Sequence, residues 1–448
     1  MADFHPIFKA YDVRGVVPEQ FDADMAHSIG SAFAAFVLSR DPDAEAVAVG
    51  RDMRDSGVAM AAAFASGVCE QGLNVVDIGL ASTDLLYFVS GSRRMAGAMF
   101  TASHNPAQYN GIKFCLAGAT PVGEESGLME VRDMATSGVP PTHRRGTISH
   151  QNFLAAFADH VRTFVDLDVI HGVKIVADTA NGMGGLVVPA VFDSMDVDLE
   201  VLFGELDGSF PNHPADPLQA ENQQDLMRRV VQVGADIGLA FDGDADRVFL
   251  VDELGVGLSG STTTAILADA ILRRKGPGKI VHNLICSKAV PEVIREAGGE
   301  PIRTRVGHSF IKQVMAETSA LFGGEHSAHY YFADNYRADS GLIAAILVIE
   351  QMCVRGIKLS ELRRPFERYA ASGEINTRVS DSAAVIEAVS AAYAKFDQDR
   401  LDGLTVDAGD WWFNLRASNT EPLLRLNLEA RTAEEVELRV QEVQRHLI

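Results

Sequence analysis

The chain has 448 residues and a formal net charge of −22, and 47% of its residues are hydrophobic. This length exceeds one ordinary hydrophobic core, so we expect three or four domains of about 100–200 residues each. The negative charge argues against general binding to nucleic acids or anionic membranes, because the field of the protein repels polyanions. A phosphorylated substrate would therefore need the few arginines and lysines to be gathered at one site.

The four cysteines, Cys69, Cys115, Cys286 and Cys353, are widely spaced and form no C-x-x-C pair. Reduced thiols in a cytoplasmic protein therefore fit better than a disulfide framework or a zinc site. No basic start followed by an apolar run is present at the N-terminus, so we predict no signal peptide. The apolar run at residues 342–349 is shorter than the roughly 20 residues that cross a bilayer, and it predicts a buried helix.

One pattern recurs three times: a short strand, a loop rich in glycine, aspartate or small polar residues, a helix, and a second strand. Its first strands lie at residues 46–50, 173–177 and 279–282. Units of this βαβ type, spaced roughly a hundred residues apart, predict three related α/β domains with mixed sheets.

The last eighty or so residues follow a different pattern. Alternating residues near 411–415 and 423–428 predict two strands, and residues 432–447 predict a charged terminal helix. This combination is typical of a smaller α+β domain. We place the four domains at residues 1–145, 146–251, 252–365 and 366–448.

The first string whose side chains could take part in a reaction is T-A-S-H-N-P at residues 101–106, which follows an apolar strand. A serine such as Ser103, on a tight loop after a strand, is held exposed by a rigid scaffold, as a nucleophile requires. His104 and Lys113 could handle protons or supply positive charge. The alternative for so short a string is an ordinary Asn-Pro turn.

The second string, D-G-D-A-D-R, lies between two apolar segments. Its carboxylates Asp242, Asp244 and Asp246 alternate and can converge on one cation, and Mg²⁺ prefers such oxygen ligands together with phosphate oxygens. Arg247 suits a phosphate or sugar oxygen. An EF-hand nearly fits, because Glu253 stands at the twelfth position. Arg247 nevertheless occupies the sixth position, where that loop needs glycine, and the flanks read as strands. An acidic solvated turn is a further alternative.

The third string, G-E-H-S-A-H, contains Glu325, Ser327 and His329 at alternate positions. In an extended loop these three side chains would share one side. An acid, a hydroxyl and an imidazole facing together suit the hydroxyl groups of a sugar, and the imidazole is a general base near neutral pH. Any one of these residues could instead have a structural role.

The fourth string, R-A-S-N-T-E-P-L-L-R, begins at Arg416 and ends at Arg425, with Ser418, Asn419 and Thr420 between them. Small residues permit a tight loop whose backbone N–H groups face an anion, so the string predicts a phosphate cradle. A polar turn flanked by surface arginines is the alternative. Residues that could contact a ligand or hold local structure are Tyr11, Arg14, Lys288 and His308.

Taken in order, these strings resemble the α-D-phosphohexomutase family, which includes phosphomannomutase and phosphoglucomutase. The resemblance covers nearly the whole chain, from F-K-A-Y-D-V-R-G at residues 8–15 to R-A-S-N-T-E-P at residues 416–422. It implies four domains around a central active-site cleft. It also implies an isomerase that moves a phosphoryl group through a phosphorylated Ser103 and a 1,6-bisphosphorylated sugar.

The resemblance implies a role for each residue named above. Mg²⁺ would be bound by Ser103, Asp242, Asp244 and Asp246, and glucose or mannose 1,6-bisphosphate would prime the serine. His329 is our candidate for the base that accepts the hydroxyl proton. The catalytic residues would be Arg14, Ser103, His104, Lys113, Arg247 and His329. The substrate-binding residues would be Tyr11, Lys288, His308, Glu325, Ser327, Arg416, Ser418, Asn419, Thr420 and Arg425.

The aromatic residues at 330–332 resemble those of bacterial phosphomannomutases, so we predict mannose, then glucose, then glucosamine as the preferred sugar. Ala328 stands where glycine is common and restricts the backbone if that position needs a positive φ. Alternatives are a phosphoglucosamine mutase, a metal-dependent sugar phosphatase or a non-catalytic sugar-phosphate-binding protein. We expect a cytoplasmic monomer or weak homodimer that acts on a small phosphosugar, without nucleic-acid or membrane partners.

Overall fold

The computed structural model describes residues 3–417 and 423–447, except for the side chain of His308. The strands are β1 (Val13–Val16), β2 (Ala46–Arg51), β3 (Asn74–Leu80), β4 (Ala96–Phe100), β5 (Tyr109–Leu116), β6 (Thr120–Pro121), β7 (Ile148–His150), β8 (His171–Asp178), β9 (Asp196–Leu202), β10 (Ile237–Phe241), β11 (Val248–Asp252), β12 (Lys279–Asn283), β13 (Glu300–Thr304), β14 (Phe322–Gly324), β15 (Tyr330–Phe332), β16 (Ala370–Arg378), β17 (Asp397–Asp399), β18 (Leu404–Asp407), β19 (Trp412–Ala417) and β20 (Leu423–Ala430).

The helices are α1 (Ala23–Arg40), α2 (Asp55–Glu70), α3 (Thr83–Arg93), α4 (Leu128–Ser137), α5 (Leu154–Arg162), α6 (Gly184–Phe192), α7 (Gln224–Val233), α8 (Gly260–Lys275), α9 (Ala289–Glu296), α10 (His308–Thr318), α11 (Gly341–Arg355), α12 (Leu359–Arg363), α13 (Ser382–Ala392) and α14 (Ala433–Gln444). The chain forms two compact units, one of Met1–Ser259 with Ser327–Leu362 and one of Gly260–His326 with Arg363–Ile448. The boundaries of the four predicted domains stay a prediction.

The first sheet of the first unit has the strand order β1-β5-β4-β2-β3-β7, with β6 beside β5. Strand β2 is parallel to β3 and β4, whereas β5 is antiparallel to β4, so the sheet is mixed as predicted. All residues of β4 are buried, as expected for an apolar strand covered on both faces. The loop that follows β4 therefore starts from a rigid central strand.

Helices α1 and α2 pack closely over this sheet because each has a glycine at the contact. A Cβ added to Gly30 would lie 2.2 Å from the carbonyl oxygen of Phe64, and one added to Gly67 would lie 2.2 Å from that of His27. Real side chains do not tolerate such distances, so both positions require glycine. Asp22 caps α1 by accepting a hydrogen bond from the backbone N–H of Met25 at 2.9 Å.

The second sheet of the first unit has the order β11-β10-β8-β9. Strand β8 is parallel to β9 and β10, and β10 forms an antiparallel pair with β11. Residues 242–247 connect β10 to β11, so the aspartate string is the turn of a buried hairpin. Strands, not helices, flank this turn, and the Glu253 carboxylate accepts a hydrogen bond from the backbone N–H of Ser360 at 3.1 Å, which excludes an EF-hand.

In the second unit, β12 lies between the parallel strands β13 and β14, and α9 connects β12 to β13. All three predicted βαβ units are thus confirmed. The chain ends in a five-stranded sheet of order β16-β20-β19-β18-β17 with helices α13 and α14. Its apolar core includes Trp411, Phe413 and Leu426. This arrangement confirms the predicted α+β domain.

The apolar run at residues 342–349 lies in α11 and is buried throughout, which confirms the predicted core helix. Within the described ranges, every helix is too short or too polar to span a bilayer. No disulfide joins the four cysteines, three of which are buried.

Candidate active site

The serine loop, residues 101–108, joins the antiparallel strands β4 and β5. Ser103 has a φ of 49°, in the left-handed region that residues with a Cβ seldom adopt. Its backbone N–H donates a 2.9 Å hydrogen bond to the side-chain oxygen of Thr101, and only 5% of Ser103 is exposed. Strained backbone of this kind persists where the surroundings over-determine it, which is common at functional sites.

Arg54, which the sequence analysis missed, holds this loop from behind. Its side chain is 1% exposed, and its guanidinium group donates a hydrogen bond to the carbonyl oxygen of Ser103 at 3.0 Å. Three further carbonyl oxygens, two of the same loop and one of the first residue of β5, accept from it, and Asp52 balances its charge at 3.2 Å. Those three carbonyls, at 2.6, 2.8 and 2.9 Å, belong to Asn105, Pro106 and Tyr109.

The serine loop and the aspartate turn lie in direct contact. Ser103 Oγ donates a hydrogen bond of 2.8 Å to Asp242 Oδ2, although the two residues are 139 positions apart. Gly243 makes this approach possible, because a Cβ added there would lie 2.4 Å from the carbonyl oxygen of Ser103. The predicted union of the hydroxyl and the aspartates is present within the first unit.

Lys113 balances the negative charge of the aspartate turn. Its Nζ lies 2.7 Å from Asp244 Oδ2 and 2.6 Å from Asp246 Oδ2. Burial by itself would lower the pKa of Lys113, but the two carboxylates outweigh it and raise that pKa well above its usual value. Burial would likewise raise the pKa of Asp244, but Lys113 and a 2.6 Å hydrogen bond from Thr83 lower it. The sequence analysis missed Thr83.

The three aspartates fit a metal ion. One ligand oxygen from each lies within 4.8 Å of the others. Asp244 Oδ1 and Asp246 Oδ1 are buried and accept no hydrogen bond from the described residues. Burial, together with the repulsion of Asp244 and Asp246, raises the pKa of Asp242 to about 7 even though Arg247 opposes it. Crowded, unsatisfied carboxylate oxygens are what a hard divalent cation would bind.

His104, Arg247 and Arg14 lie at the serine loop or at its contact with the aspartate turn. Arg247 donates through Nε to Asp242 Oδ2 at 2.9 Å and through Nη2 to His104 Nδ1 at 2.7 Å. Burial, and then the charges of Arg247 and Arg14, lower the pKa of His104 well below its usual value. Arg14 Nη1 donates to Asn105 Oδ1 at 2.6 Å. A neutral His104 among two arginines leaves the positive charge on the guanidinium groups.

His329 lies beside the aspartate turn. Its Nδ1 is 2.8 Å from Asp339 Oδ2 and 3.8 Å from Asp246 Oδ1, so the predicted base adjoins the predicted metal ligands. Ligand atoms of the three residues lie within 4.8 Å of one another. Asp339 was not identified from the sequence. Tyr11 lies half-buried just before β1.

The extended form assumed for the third string is wrong. Residues 326 and 327 form a turn, and Ala328 has a φ of 65°. The alternate spacing of Glu325, Ser327 and His329 therefore does not put their side chains on one side. This position does need a positive φ, so Ala328, which stands where glycine is common, restricts the backbone here. Glu325 is buried in the second unit, where Oε1 accepts from the backbone N–H of Gly307 at 3.1 Å and from Asn283 Nδ2 at 3.2 Å. Ser327 and His329 belong to the first unit.

In the second unit, Arg416 and Arg425 are opposite each other on β19 and β20. Both form ion pairs with Glu374: Arg416 Nη2 lies 3.2 Å from Oε2, and Arg425 Nη1 lies 3.4 Å from Oε1. The sequence analysis missed Glu374. Lys288 Nζ donates to Asp407 Oδ1 at 2.6 Å and to the carbonyl oxygen of Gly409 at 2.9 Å. Ser418, Asn419 and Thr420 lie outside the described residues, as does the side chain of His308, the first residue of α10.

The first unit therefore combines a hydroxyl on a rigid loop, three carboxylates able to hold a cation, and two cationic side chains, Lys113 and Arg247. Phosphoryl transfer needs little more than such positioning and charge neutralisation. The pair of arginines at Glu374 offers donors for an anion in the second unit.

Comparison with known proteins gives a family. Models of the phosphoglucomutase/phosphomannomutase family match four successive parts of the chain, namely alpha/beta/alpha domain I at residues 5–136, domain II at 155–255, domain III at 259–369 and the C-terminal domain at 374–446. A phosphomannomutase of Salmonella montevideo is 38% identical over 436 residues, which are 95% of this chain and 94% of that protein. A phosphomannomutase of Methanocaldococcus jannaschii is 35% identical, with 98% and 96% covered.

Among solved structures, a phosphoglucomutase/phosphomannomutase family protein from Burkholderia thailandensis has a TM-score of 0.91 and 31% identity, with 100% of this chain and 97% of that chain covered. The matches span nearly the whole chain and confirm both the predicted resemblance and the predicted fold class. Members of this family are mutases, a class of isomerase. The chain belongs to the phosphoglucomutase/phosphomannomutase family.

Proposed function

We propose that the chain is a magnesium-dependent phosphomannomutase that interconverts mannose 6-phosphate and mannose 1-phosphate, with glucose phosphates as second substrates. The observation that carries this proposal is the 2.8 Å hydrogen bond from Ser103 Oγ to Asp242 Oδ2. It joins a nucleophile to a carboxylate cluster suited to a cation. Related proteins named phosphomannomutase, at 35–38% identity, support mannose as the sugar.

Ser103 and the three aspartates would hold Mg²⁺, since all four supply oxygen atoms. A cation there supplies charge neutralisation for the transferred phosphoryl group. Lys113 and Arg247 add fixed positive charge from the protein itself, and their ion pairs with the aspartates hold them in place before substrate binds.

In the first half of the reaction, a sugar hydroxyl oxygen bonds to the phosphorus of phosphorylated Ser103 while the bond from phosphorus to Oγ breaks. The hydroxyl proton passes to His329, and Lys113 and Arg247 balance the negative charge left on Oγ. The 1,6-bisphosphorylated sugar then turns end over end. In the second half, Oγ bonds to the other phosphorus and His329 returns the proton to the departing sugar oxygen.

The phosphate that does not react needs hydrogen-bond donors that bind the anion equally well whether it is attached to C1 or to C6 of the sugar. Arginine and small-residue loops have this property. We assign this role to Arg416, Ser418, Asn419, Thr420 and Arg425, with Lys288 and His308. Tyr11 and Arg14 would contact substrate near the serine, and Glu325 and Ser327 would bind sugar hydroxyls. Glucose or mannose 1,6-bisphosphate would activate the enzyme by phosphorylating Ser103.

The test is phosphorus NMR of the reaction, with mannose 1-phosphate, glucose 1-phosphate and glucosamine 1-phosphate supplied separately, together with Mg²⁺ and a trace of glucose 1,6-bisphosphate. We expect the 6-phosphate to appear most rapidly from mannose 1-phosphate, and no 6-phosphate from Ser103→Ala. The exposed Ser92→Ala is the matched control. Accumulation of inorganic phosphate without a 6-phosphate would identify a phosphatase instead, and full activity of Ser103→Ala would reject the site.

A further inference from the structure

The segment after His329 returns to it through a tight turn. β15 leads away from His329, and the chain comes back so that Tyr331 and Asp339 form an antiparallel bridge. The backbone N–H of Ser340 donates to the carbonyl oxygen of Tyr330 at 3.0 Å. The return places Asp339 Oδ2 2.8 Å from His329 Nδ1, with Asp339 only 2% exposed.

This turn is strained and is held in place by its surroundings. Tyr336 and Arg337 have φ values of 56° and 61°, in the left-handed region that residues with a Cβ rarely adopt. The Tyr336 ring occupies space that only glycine leaves open, since a Cβ added to Gly91 would lie 2.2 Å from it. The backbone N–H of Arg337 donates to the carbonyl oxygen of Phe332 at 2.9 Å. Such over-determined strain is typical of segments that position functional groups.

Two interpretations of the contact between His329 and Asp339 can be compared by distance. Two ligands bound to one ion at about 2.1 Å, at angles near 90–110°, lie roughly 3.0–3.4 Å apart. The Nδ1–Oδ2 distance of 2.8 Å is shorter and matches a charge-assisted hydrogen bond. The contact therefore favours an N–H donated by His329 to Asp339 over a shared cation.

We propose that Asp339 is a positioning residue for His329, and that it holds the imidazole with its proton on Nδ1 and its lone pair on Nε2. This inference rests on the proposed function, in which His329 accepts the proton of the sugar hydroxyl. The proton would bind at Nε2, and the resulting imidazolium would be stabilised by the Asp339 carboxylate. Tyr331 adds a second restraint, because its ring lies nearly parallel to the imidazole with centroids 6.2 Å apart.

The kinetic test compares Asp339→Asn, His329→Gln and the double variant with the wild type. We expect Asp339→Asn to lower kcat by about 10²-fold, because general-base catalysis contributes about 10²–10⁴-fold, and to leave KM within roughly threefold. The double variant should be no slower than His329→Gln, since Asp339 acts through His329. Asp334→Asn, an exposed carboxylate five positions earlier, is the matched control. The proposal would be overturned if the fold-loss in kcat of the double variant were the product of the two single losses. It would also be overturned if the kcat of Asp339→Asn equalled that of the control.

The second readout does not depend on activity. In protein labelled with ¹⁵N-histidine, the His329 signals are identified by their disappearance in His329→Gln, and their shifts report which ring nitrogen has the proton. We expect Nδ1–H in the wild type and a changed tautomer balance in Asp339→Asn. A wild-type proton on Nε2 would refute the placement. If the wild type has no mutase activity, the proposed function fails, while the NMR still decides how Asp339 holds the ring.

Discussion

Arg54 donates a hydrogen bond of 3.0 Å to the backbone carbonyl oxygen of Ser103 from a position 49 residues earlier in the chain. One buried guanidinium group thus binds the carbonyl of Ser103 and those of Asn105, Pro106 and Tyr109. The planar group with five donors can satisfy several carbonyls at once, which an ammonium group cannot. The ring of Phe210 covers it at 5.2 Å.

We predict that Arg54→Lys destabilises the protein by about 3 kcal/mol, because each buried carbonyl that loses its donor costs about 1–3 kcal/mol. The loop around Ser103 would shift, and kcat should fall at least about tenfold, since small misplacements of reacting groups are costly. Urea unfolding and initial rates measure the two effects. Arg51 lies nearby and is partly exposed, so Arg51→Lys should change neither the stability nor the kcat. An Arg54→Lys enzyme as stable and active as that control would contradict this role.

Gly243 should tolerate no side chain. Gly243→Ala would place a Cβ 2.4 Å from the Ser103 carbonyl oxygen and push the serine loop away from the aspartates. We expect kcat to fall about 10²-fold, because a displacement near 1 Å has that effect. Gly57→Ala is the control, since its nearest neighbour would lie at an ordinary 3.6 Å. Equal rates for the two variants would mean that the two loops need not touch.

Mg²⁺ should stabilise the folded protein measurably. A ligand at 100 times its Kd adds about 2.7 kcal/mol to the free energy of unfolding, so Mg²⁺ should raise the midpoint of thermal unfolding. Asp244→Asn removes one of the proposed oxygen ligands and should abolish most of this shift, whereas the exposed Asp193→Asn should keep it. Chelation of the metal should remove activity and the shift together. The same shift in Asp244→Asn as in the control would place the cation elsewhere.

His282 should make the second unit sensitive to acid. Burial lowers the pKa of this β12 residue to about 4, only partly opposed by its hydrogen bond to the Asn283 carbonyl oxygen. The unfolded chain binds a proton near pH 6.5, but the folded chain does so only near pH 4. Stability is therefore full above pH 6.5 and falls as the pH drops toward 4, by up to about 3 kcal/mol.

His282→Gln cannot bind that proton, so the stability difference between pH 7 and pH 4 should shrink by about 3 kcal/mol. Chemical unfolding at several pH values measures it, with the exposed His143→Gln as the control. Parallel pH curves for wild type and His282→Gln would show that another group causes the acid sensitivity.

Much of the fold could be read along the chain because its signals are local. The period of apolar residues and the small-residue loops predicted the units β2-α2-β3, β8-α6-β9 and β12-α9-β13, each completed within about 35 residues. The hairpin that has Asp242 in its turn was recognisable for the same reason. Its carboxylates are neighbours in sequence as well as in space.

Contacts between distant segments had no such signal. Arg54 looked like one residue of an ordinary βα loop, and Asp339 like one of many acidic residues. Glu374 lies 42 positions from Arg416. Local pattern also failed at residues 326–327, where the chain forms a turn and not the extended loop assumed for Glu325 and His329. Ala328 enters the left-handed region there, which alternation of residue types does not reveal.

The order and chemistry of the residues by themselves determined the family, the three repeated α/β units and Ser103 as the proposed nucleophile, because each depends on residues close together in the chain. Only the folded structure decided which groups contact Ser103 and His329. Arg54, Gly243 and Asp339 act through distances of a few ångströms that the packing of sheets and loops creates. Side-chain identity limits such contacts but cannot specify them.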